Sequence, residues 1–354
     1  MKNFDIAFQR LNNQRLSSPD LKKAADVVHW LGAVQAQDYY GAKWALALRM
    51  HDATDQDLEK AFAAGEIVRT HVMRPTWHFV SPVDIRWLLK LTAPRVNAAS
   101  SYNYRKLELD EAVFKRTNQA ITKALLGGRQ LTRETLRSAV QRAGVPTDDL
   151  LRFTHILLRA ELDGVICSGA RQDKQFTYAL LDERVPETKA PSHDQALADL
   201  TRRYFTGHGP ATLQDFAWWS GLTVKDANSG LDMVQRHLLK EVIDDKTYWR
   251  SAVSLPVKRA SRVAYLLPAF DEYLISYKDR SAAVAGNNSK ENVLFNSMIV
   301  IDGHVVGSWK RSLAEESVGI TLNYFAPASK AERQLVADAA DRYGAFLGLT
   351  VALV

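Results

Sequence analysis

The chain has 354 residues, of which 46% are hydrophobic and 24% are charged, and its formal net charge is +6. This composition is typical of a soluble globular protein with two or three domains. The single cysteine, Cys167, excludes an internal disulfide and a cysteine-rich zinc or iron–sulfur site. The sequence shows neither an apolar run long enough to span a membrane nor the apolar segment of a signal peptide, so we expect a cytoplasmic protein.

The positive charge is concentrated in one part of the chain. Residues 1–185 contain 27 basic and 21 acidic residues, whereas residues 186–354 contain 19 of each. Within the first part, residues 86–142 contain 12 basic and 4 acidic residues. A basic stretch in an otherwise neutral chain indicates a polyanionic partner, nucleic acid first. A solvated helical face would give the same composition, and charge alone does not separate the two interpretations.

The first segment is predicted to form two helices followed by a hairpin. Apolar side chains recur at helical spacing in the first helix, and Met73-Arg74-Pro75 forms the hairpin turn. Ser81-Pro82 is a typical helix start, so another helix follows the hairpin. The predicted elements are helices 21–31 and 58–65, strands 67–70 and 76–80, and helix 83–91.

The second segment repeats this order most clearly. Thr132 is a typical N-cap, and the helix that it starts is expected to end at Gly144. A second helix presents an apolar face that includes Phe153 and Leu157. The second helix is predicted over 148–163, and the strands over 165–168 and 176–180, on either side of a polar turn.

The third segment has the same order about 80 residues further on, which indicates an internal repeat. Thr212 takes the place of Thr132 as the cap of a helix through Trp219. A second helix is predicted over 231–240, and a hairpin joins strands 241–243 and 247–249. Helix, helix and hairpin is the order of a winged helix, so the three segments predict tandem winged helices. The alternative is a coincidental order in a mixed chain.

The last hundred residues differ, because strand patterns dominate them. Asp302-Gly303 is a strong hairpin turn. Strands are predicted over 263–277, 294–301, 305–310 and 318–324, and an amphipathic helix over 329–347. The predicted fold class is therefore α+β, with three winged-helix units and a β-rich region, either an antiparallel sheet or a small barrel. The expected domains are 1–105, 106–190, 191–260 and 261–354.

Familiar catalytic signatures are absent from the sequence. There is no phosphate-binding glycine loop, no G-x-S-x-G and no H-E-x-x-H. The nine histidines are scattered, which disfavours a zinc deaminase, and we expect neither a metal nor a cofactor.

The most unusual polar segment is Val34-Gln35-Ala36-Gln37-Asp38, which interrupts an apolar stretch between Gly32 and Gly41. In extended backbone the two glutamine side chains would share one side, whereas on a helix they would diverge. The alternative is that both glutamines satisfy buried backbone groups at a helix end.

This segment resembles the Gln-apolar-Gln motif of the AlkZ-like DNA glycosylases, a bacterial family of winged-helix proteins. Three further stretches are similar to that family and follow in its order: 74–78 (RPTWH), 266–271 (LLPAFD) and 302–309 (DGHVVGSW). The resemblance implies three tandem winged helices and a β-rich region around duplex DNA. It also implies excision of N7-alkylated or crosslinked purines without a metal. Gln37 places the chain in the Gln-apolar-Gln branch, although Ala36 is smaller than the bulky residue expected there.

The chemistry implied by this resemblance suits the residue types. An N7-alkylated purine is already cationic, so its departure needs no general acid. The remaining tasks are to position a water molecule and to stabilise an oxocarbenium-like sugar. We expect Gln37 to position the water and Gln35 to support the water or the sugar. Asp38 is a candidate base, although in extended backbone its side chain should point away from Gln37.

The DNA-contact candidates are basic residues of the charged stretch and of the second hairpin. They are Arg105, Lys106, Lys115, Arg116, Lys123, Arg129, Arg133, Arg137, Arg171 and Lys174. Arg74, Trp77 and His78 are candidates for a lesion pocket in which a base stacks on the indole. The alternatives are an ordinary surface turn for Arg171 and Lys174, and a core tryptophan beside a hydrogen-bonded histidine.

Two other functional classes remain open at this point. A non-catalytic winged-helix DNA-binding protein, either a transcription regulator or a damage-recognition module, would have the same charge. Such a regulator usually binds as a symmetric dimer, which three tandem copies in one chain fit poorly. A small-molecule hydrolase is disfavoured by the missing nucleophile motif. The leading hypothesis is a monomeric, monofunctional DNA glycosylase acting on duplex DNA.

Overall fold

A computed structural model describes residues 5–253, 262–285 and 293–354 and shows a mixed α and β fold. The helices are α1 (Ile6–Asn13), α2 (Ala24–Leu31), α3 (Tyr39–Ala47), α4 (Asp55–Ala64), α5 (Ile85–Lys106), α6 (Glu111–Leu125), α7 (Arg133–Arg142), α8 (Leu150–Leu162), α9 (Leu181–Arg184), α10 (His193–Gly207), α11 (Leu213–Ser220), α12 (Val224–Val234), α13 (Glu272–Ile275) and α14 (Lys330–Leu347). The strands are β1 (Val34–Gln35), β2 (Val68–Val72), β3 (Arg74–Val80), β4 (Leu131–Thr132), β5 (Ile166–Ser168), β6 (Thr177–Leu180), β7 (Leu238–Ile243), β8 (Lys246–Ser251), β9 (Ala264–Leu267), β10 (Ser297–Ile301), β11 (His304–Leu313), β12 (Ser317–Tyr324) and β13 (Thr350–Leu353). Among these helices, none has both the length and the apolar character that a membrane crossing requires.

The chain divides into two compact units. The split unit consists of Met1–Glu59, Ala198–Trp219 and Thr223–Val354, and the central unit consists of Lys60–Leu197 and Ser220–Leu222. The four expected domains are contiguous stretches of sequence, and their boundaries stay a prediction. The boundary expected between residues 260 and 261 lies outside the described residues.

In the central unit, the second predicted segment is confirmed almost residue for residue. The Thr132 side chain accepts a hydrogen bond from Thr135 N and starts α7, and Asp149 caps α8 in the same way. β5 and β6 form an antiparallel hairpin, and β4 adds to the edge of β6. Phe153 and Leu157 of the predicted apolar face are buried in one core with Leu136 and Ile156. The apolar pattern failed at the start of α8, where Leu150 and Leu151 are exposed.

The hairpin of the first segment is also confirmed, as β2 and β3 of the central unit. Met73 adopts a positive φ of 64° in its turn. The helix predicted over 83–91 was too short, because α5 has 22 residues and contains Pro94. Proline removes one helical hydrogen bond, but buried side chains such as Leu88 and Val96 continue the apolar face past it.

The second helix of the third segment was placed too late. The Thr223 side chain accepts a hydrogen bond from Asp226 N and starts α12 at Val224, so that α12 ends at Val234. Residues 238–240 are not helical and belong to β7, which pairs with β8 in an antiparallel hairpin. Asp244 and Asp245 form its turn with positive φ values of 47° and 60°. The hairpin prediction is therefore confirmed with longer strands.

The C-terminal part of the split unit is a five-stranded sheet of order β13-β12-β11-β10-β9. The continuous strand predicted over 263–277 was wrong, because β9 ends before Pro268 and Asp271 then caps the short helix α13. β13, which was not predicted, pairs in parallel with β12. The helix predicted over 329–347 is confirmed as α14, which begins with a complete capping box between Ser329 and Glu332.

His208 lies in the core of the split unit and has no exposed surface. Its ring stacks on Tyr204 with centroids 5.0 Å apart, and its Nε2 lies 3.0 Å from the carbonyl oxygen of Leu31. Burial lowers the pKa of His208 to about 3. The imidazole is therefore neutral in the folded protein at neutral pH and donates its Nε2 proton to the end of α2.

The depressed pKa of His208 predicts a loss of stability in mild acid. Below about pH 6.5 the unfolded chain binds a proton that the folded chain excludes, so stability falls as the pH falls from there toward 3. One such group removes about 2 kcal/mol from the free energy of unfolding between about pH 7.5 and pH 5. Chemical denaturation across this pH range measures the loss.

The matched variant is His208→Gln, because its side-chain amide can still donate to the Leu31 carbonyl but does not titrate. We expect a less stable protein at neutral pH with a shallower loss of stability in acid. An unchanged pH dependence in this variant would show that His208 does not carry the effect.

Candidate active site

The segment with the two glutamines lies between α2 and α3, with Val34 and Gln35 in β1 and with Gln37 and Asp38 in a bend before α3. Gly32 ends α2 with a φ of 82°, and a Cβ there would lie 3.2 Å from the Trp219 ring. This position therefore requires glycine both for its conformation and for its close approach. Of the two backbone conformations that the sequence left open, Gln35 has the extended one, in β1, and α3 begins at Tyr39.

Gly41 was expected to mark an end of the segment, but it lies inside α3. A Cβ at Gly41 would lie 2.6 Å from Oδ2 of Asp38 and 3.1 Å from Cβ of Pro268. The small residue therefore lets the helix approach Pro268 and leaves room for the Asp38 carboxylate. That carboxylate, at the N-cap position of α3, makes no capping hydrogen bond and lies over the first helical turn.

The two glutamines occupy different environments. Gln35 is 4% exposed, whereas Gln37 is exposed. The backbone N–H of Gln37 donates to Oε1 of Gln35 at 3.1 Å. The carboxamide oxygen of Gln35 is therefore used to hold the backbone of Gln37, while the Gln37 carboxamide has no hydrogen-bond partner among the described residues. The methyl group of Ala36 between them is fully buried.

A buried carboxylate that sequence reasoning missed holds this segment. Oε1 of Glu272 accepts a hydrogen bond from the backbone N–H of Gln35 at 2.8 Å. Oε2 of the same carboxylate accepts from Nε1 of Trp219 at 3.0 Å and from the hydroxyl of Ser276. Glu272 has no exposed surface. Its carboxylate therefore satisfies three donors in the core of the split unit.

The start of α13 is fixed by a second buried carboxylate. Asp271 forms a two-point ion pair with Arg49, with N–O distances of 2.8 and 2.9 Å. Arg49 also donates to Oε1 of Gln14 at 2.7 Å, and Gln14 donates to the backbone oxygen of Glu272 at 3.1 Å. Asp271 therefore both caps α13 and neutralises a buried arginine.

The first turns of α3 are fixed by a buried lysine. Lys43 is 1% exposed and forms ion pairs with Asp55 and Glu59 at 2.8 and 2.9 Å. The Tyr39 hydroxyl donates to the same Glu59 carboxylate at 3.1 Å. The helix that follows Gln37 and Asp38 is therefore tied to the start of α4.

The lesion-pocket candidates lie on β3 in the central unit. His78 is fully buried, its Nδ1 lies 2.9 Å from the Thr76 oxygen, and burial and the charge of Arg74 lower its pKa to about 3. Its Nε2 is buried and has no partner among the described residues. Trp77 is half-buried, with the His71 ring and the Arg69 guanidinium each 4.3 Å from its ring centroid.

The DNA-contact candidates differ in exposure and in their internal partners. Exposed candidates are Arg105, Lys106, Lys115, Arg116, Lys123, Arg129 and Lys174, whereas Arg133, Arg137 and Arg171 are half-buried. Arg129 donates to the last carbonyls of α6, Arg133 to Thr154 and Arg137 to the carbonyl of Thr147. These three arginines therefore stabilise the central unit itself, which sequence reasoning did not reveal. In the described part of the chain, no group of three or more side chains is arranged to hold a metal.

Comparison with known proteins agrees with the motifs. The sequence model of the family described as "DNA glycosylase AlkZ-like" matches residues 28–346. The "Interstrand DNA cross-link repair glycosylase" of Streptomyces sahachiroi is 26% identical over an alignment of 332 residues, and the alignment covers 85% of this chain and 85% of that one. The solved structure of S. sahachiroi DNA glycosylase AlkZ superposes with a TM-score of 0.79 at 20% identity, covering 99% of this chain and 98% of that one. This likeness confirms the mixed α and β fold, and the family match spans the glutamine segment and strands β9 to β12 of the sheet. The chain therefore belongs to the AlkZ-like DNA glycosylase family.

Proposed function

We propose that this protein is a monofunctional glycosylase that removes N7-alkylated purines from duplex DNA, with a water molecule positioned by Gln37. One observation carries the proposal beyond family membership. The Gln37 carboxamide is exposed, and its backbone is held by the buried Gln35. A side chain that is anchored at its backbone and faces solvent suits the orientation of a single water molecule.

The proposed reaction breaks the bond between the sugar C1′ and the purine N9. The N7-alkylated base is cationic and leaves with the bonding electrons as a neutral base. The water oxygen then bonds to C1′, and the water releases a proton to solvent. The carboxamide oxygen of Gln37 accepts a hydrogen bond from this water, which aligns one of its lone pairs with C1′. Most of the acceleration then comes from orientation and from electrostatic stabilisation of the sugar cation.

The two glutamines have different roles in this proposal. Oε1 of Gln35 already accepts from the Gln37 backbone, so Gln35 orients its neighbour rather than the water. A lysine nucleophile of the kind that bifunctional glycosylases use is not part of the proposal. Lys43, the lysine that follows the segment, is held as a cation between Asp55 and Glu59. Support for water as the nucleophile comes from this arrangement.

We further propose that each of the three helix–helix–hairpin segments is a winged helix, with domain boundaries as predicted from sequence. The best-supported segment is the second, with α7, α8 and the β5–β6 hairpin around one core. Exposed basic side chains on α5 and α6 would contact phosphates without base specificity. The relative named as a crosslink repair glycosylase supports bulky or crosslinked purines as further substrates.

One prediction of this proposal concerns base release by the Gln37→Ala variant. The native protein should release 7-methylguanine from a duplex that contains N7-methylguanine. The Gln37→Ala variant should be slower by about 10- to 100-fold in single turnover, because the water loses its orienting acceptor. Its affinity for the duplex should stay close to that of the native protein, since the side chain binds no phosphate.

The matched control is Gln37→Glu, which keeps an acceptor oxygen at the same reach and should retain more activity than Gln37→Ala. Tight duplex binding without base release by the native protein would contradict the glycosylase proposal. It would favour a non-catalytic winged-helix protein instead.

Another prediction of this proposal concerns the salt dependence of DNA binding. Lys115 and Arg116 are exposed and adjacent on α6. Replacing both with glutamine should reduce the slope of log affinity against log salt by about 2, because each phosphate contact contributes close to one unit. The rate of base release at saturating protein should not change. Fluorescence anisotropy over a salt series measures the slope.

The charge-matched control replaces Lys189 and Lys225 with glutamine. Both are exposed and lie outside the basic stretch 86–142. An equal loss of slope in the two double variants would show that net charge, rather than the α6 surface, determines binding.

A further inference from the structure

We propose that Glu272 is a positioning residue for base excision, acting through the backbone of Gln35. The inference rests on the proposed function, because it requires Gln37 to orient the attacking water. Its basis is a chain of hydrogen bonds that runs from the Glu272 carboxylate to the exposed amide. Oε1 of Glu272 accepts from Gln35 N at 2.8 Å, and Oε1 of Gln35 accepts from Gln37 N at 3.1 Å.

The Glu272 carboxylate is itself fixed by the core of the split unit. Trp219 has no exposed surface and donates to Oε2, and its ring lies 5.0 Å from that of Tyr204 and 5.1 Å from that of His208. The preceding residue, Asp271, is held by both terminal nitrogens of Arg49. The side chain and the backbone at the start of α13 are therefore both anchored. A displacement of the carboxylate would move Gln35 and, through it, Gln37.

A carboxylate suits this place better than an amide. Three donors converge on it, one at Oε1 and two at Oε2. In a Glu272→Gln variant, the single carbonyl oxygen would face the side with two donors, Trp219 and Ser276. The amide NH2 would then face the N–H of Gln35, and two donors in contact repel each other. The substitution therefore keeps the volume of the side chain and releases the segment.

The experiment measures single-turnover base release and duplex affinity with a duplex that contains N7-methylguanine. Glu272→Gln should slow base release by about 10- to 100-fold, since small displacements of a positioning group have effects of this size. Its duplex affinity should stay near the native value. Asp215→Asn is the matched control, because it converts another fully buried, hydrogen-bonded carboxylate of the split unit that does not contact Gln35. That variant should release base at close to the native rate.

A double variant separates positioning from a general structural role. If Glu272 acts through Gln37, adding Glu272→Gln to Gln37→Ala should cause no further loss of rate. Multiplied losses in the double variant would overturn the inference, and so would a native rate in Glu272→Gln alone. A native rate in Gln37→Ala would overturn the proposed function and this inference with it. Only the inference fails if Gln37→Ala is slow and Glu272→Gln is not.

A second variant covers the case in which Glu272→Gln does not fold. Replacing Gln35 with its α-hydroxy acid analogue by chemical ligation converts the backbone N–H into an ester oxygen. Glu272, Trp219 and Ser276 all remain in place. The ester variant should show the same loss of rate with native duplex affinity. A folded ester variant with the native rate would contradict the role of this hydrogen bond.

Discussion

The hydrogen bond between the Glu272 carboxylate and the backbone of Gln35 is the constraint on which the candidate site depends. A buried carboxylate is costly unless donors satisfy it, and this one receives donors from β1, α11 and the turn after α13. The backbone that carries Gln35 and Gln37 is therefore fixed by a residue 237 positions further along the chain. The extended segment is not a free loop. Its geometry is set by the same core that contains Arg49, Asp271 and His208.

Local signals predicted much of the fold, and the errors have physical reasons. Thr132 and Ser329 each cap a helix through their own side chain, so the starts of α7 and α14 were readable from sequence. The helix corresponding to α12 was predicted to start too late in the sequence. The apolar pattern alone does not mark its start, which is set by the N-cap residue Thr223. The strand predicted over 263–277 failed because an apolar run gives the same signal for a buried strand and a buried helical turn.

Only part of the candidate site could be predicted from the sequence. The two glutamines were conspicuous because they interrupt an apolar stretch, but the choice between helical and extended backbone stayed open until β1 showed Gln35 to be extended. Glu272 was missed although it follows Asp271 directly, because no local pattern reveals which distant donor a carboxylate will meet. The basic candidates show the same limit. Arg129, Arg133 and Arg137 contribute to the charge of the stretch, yet each donates to a neighbouring carbonyl or hydroxyl within its own unit.

The burial of Ala36 has a consequence for how the geometry of this site can differ among relatives. Ala36 has no exposed surface and lies between a buried and an exposed glutamine. Its side chain therefore sets the distance between the backbone of the glutamine segment and the core. A larger side chain there would have to displace that backbone outward or repack what lies beneath it. Relatives that carry bulkier residues at this position would present the same two amides at a different depth.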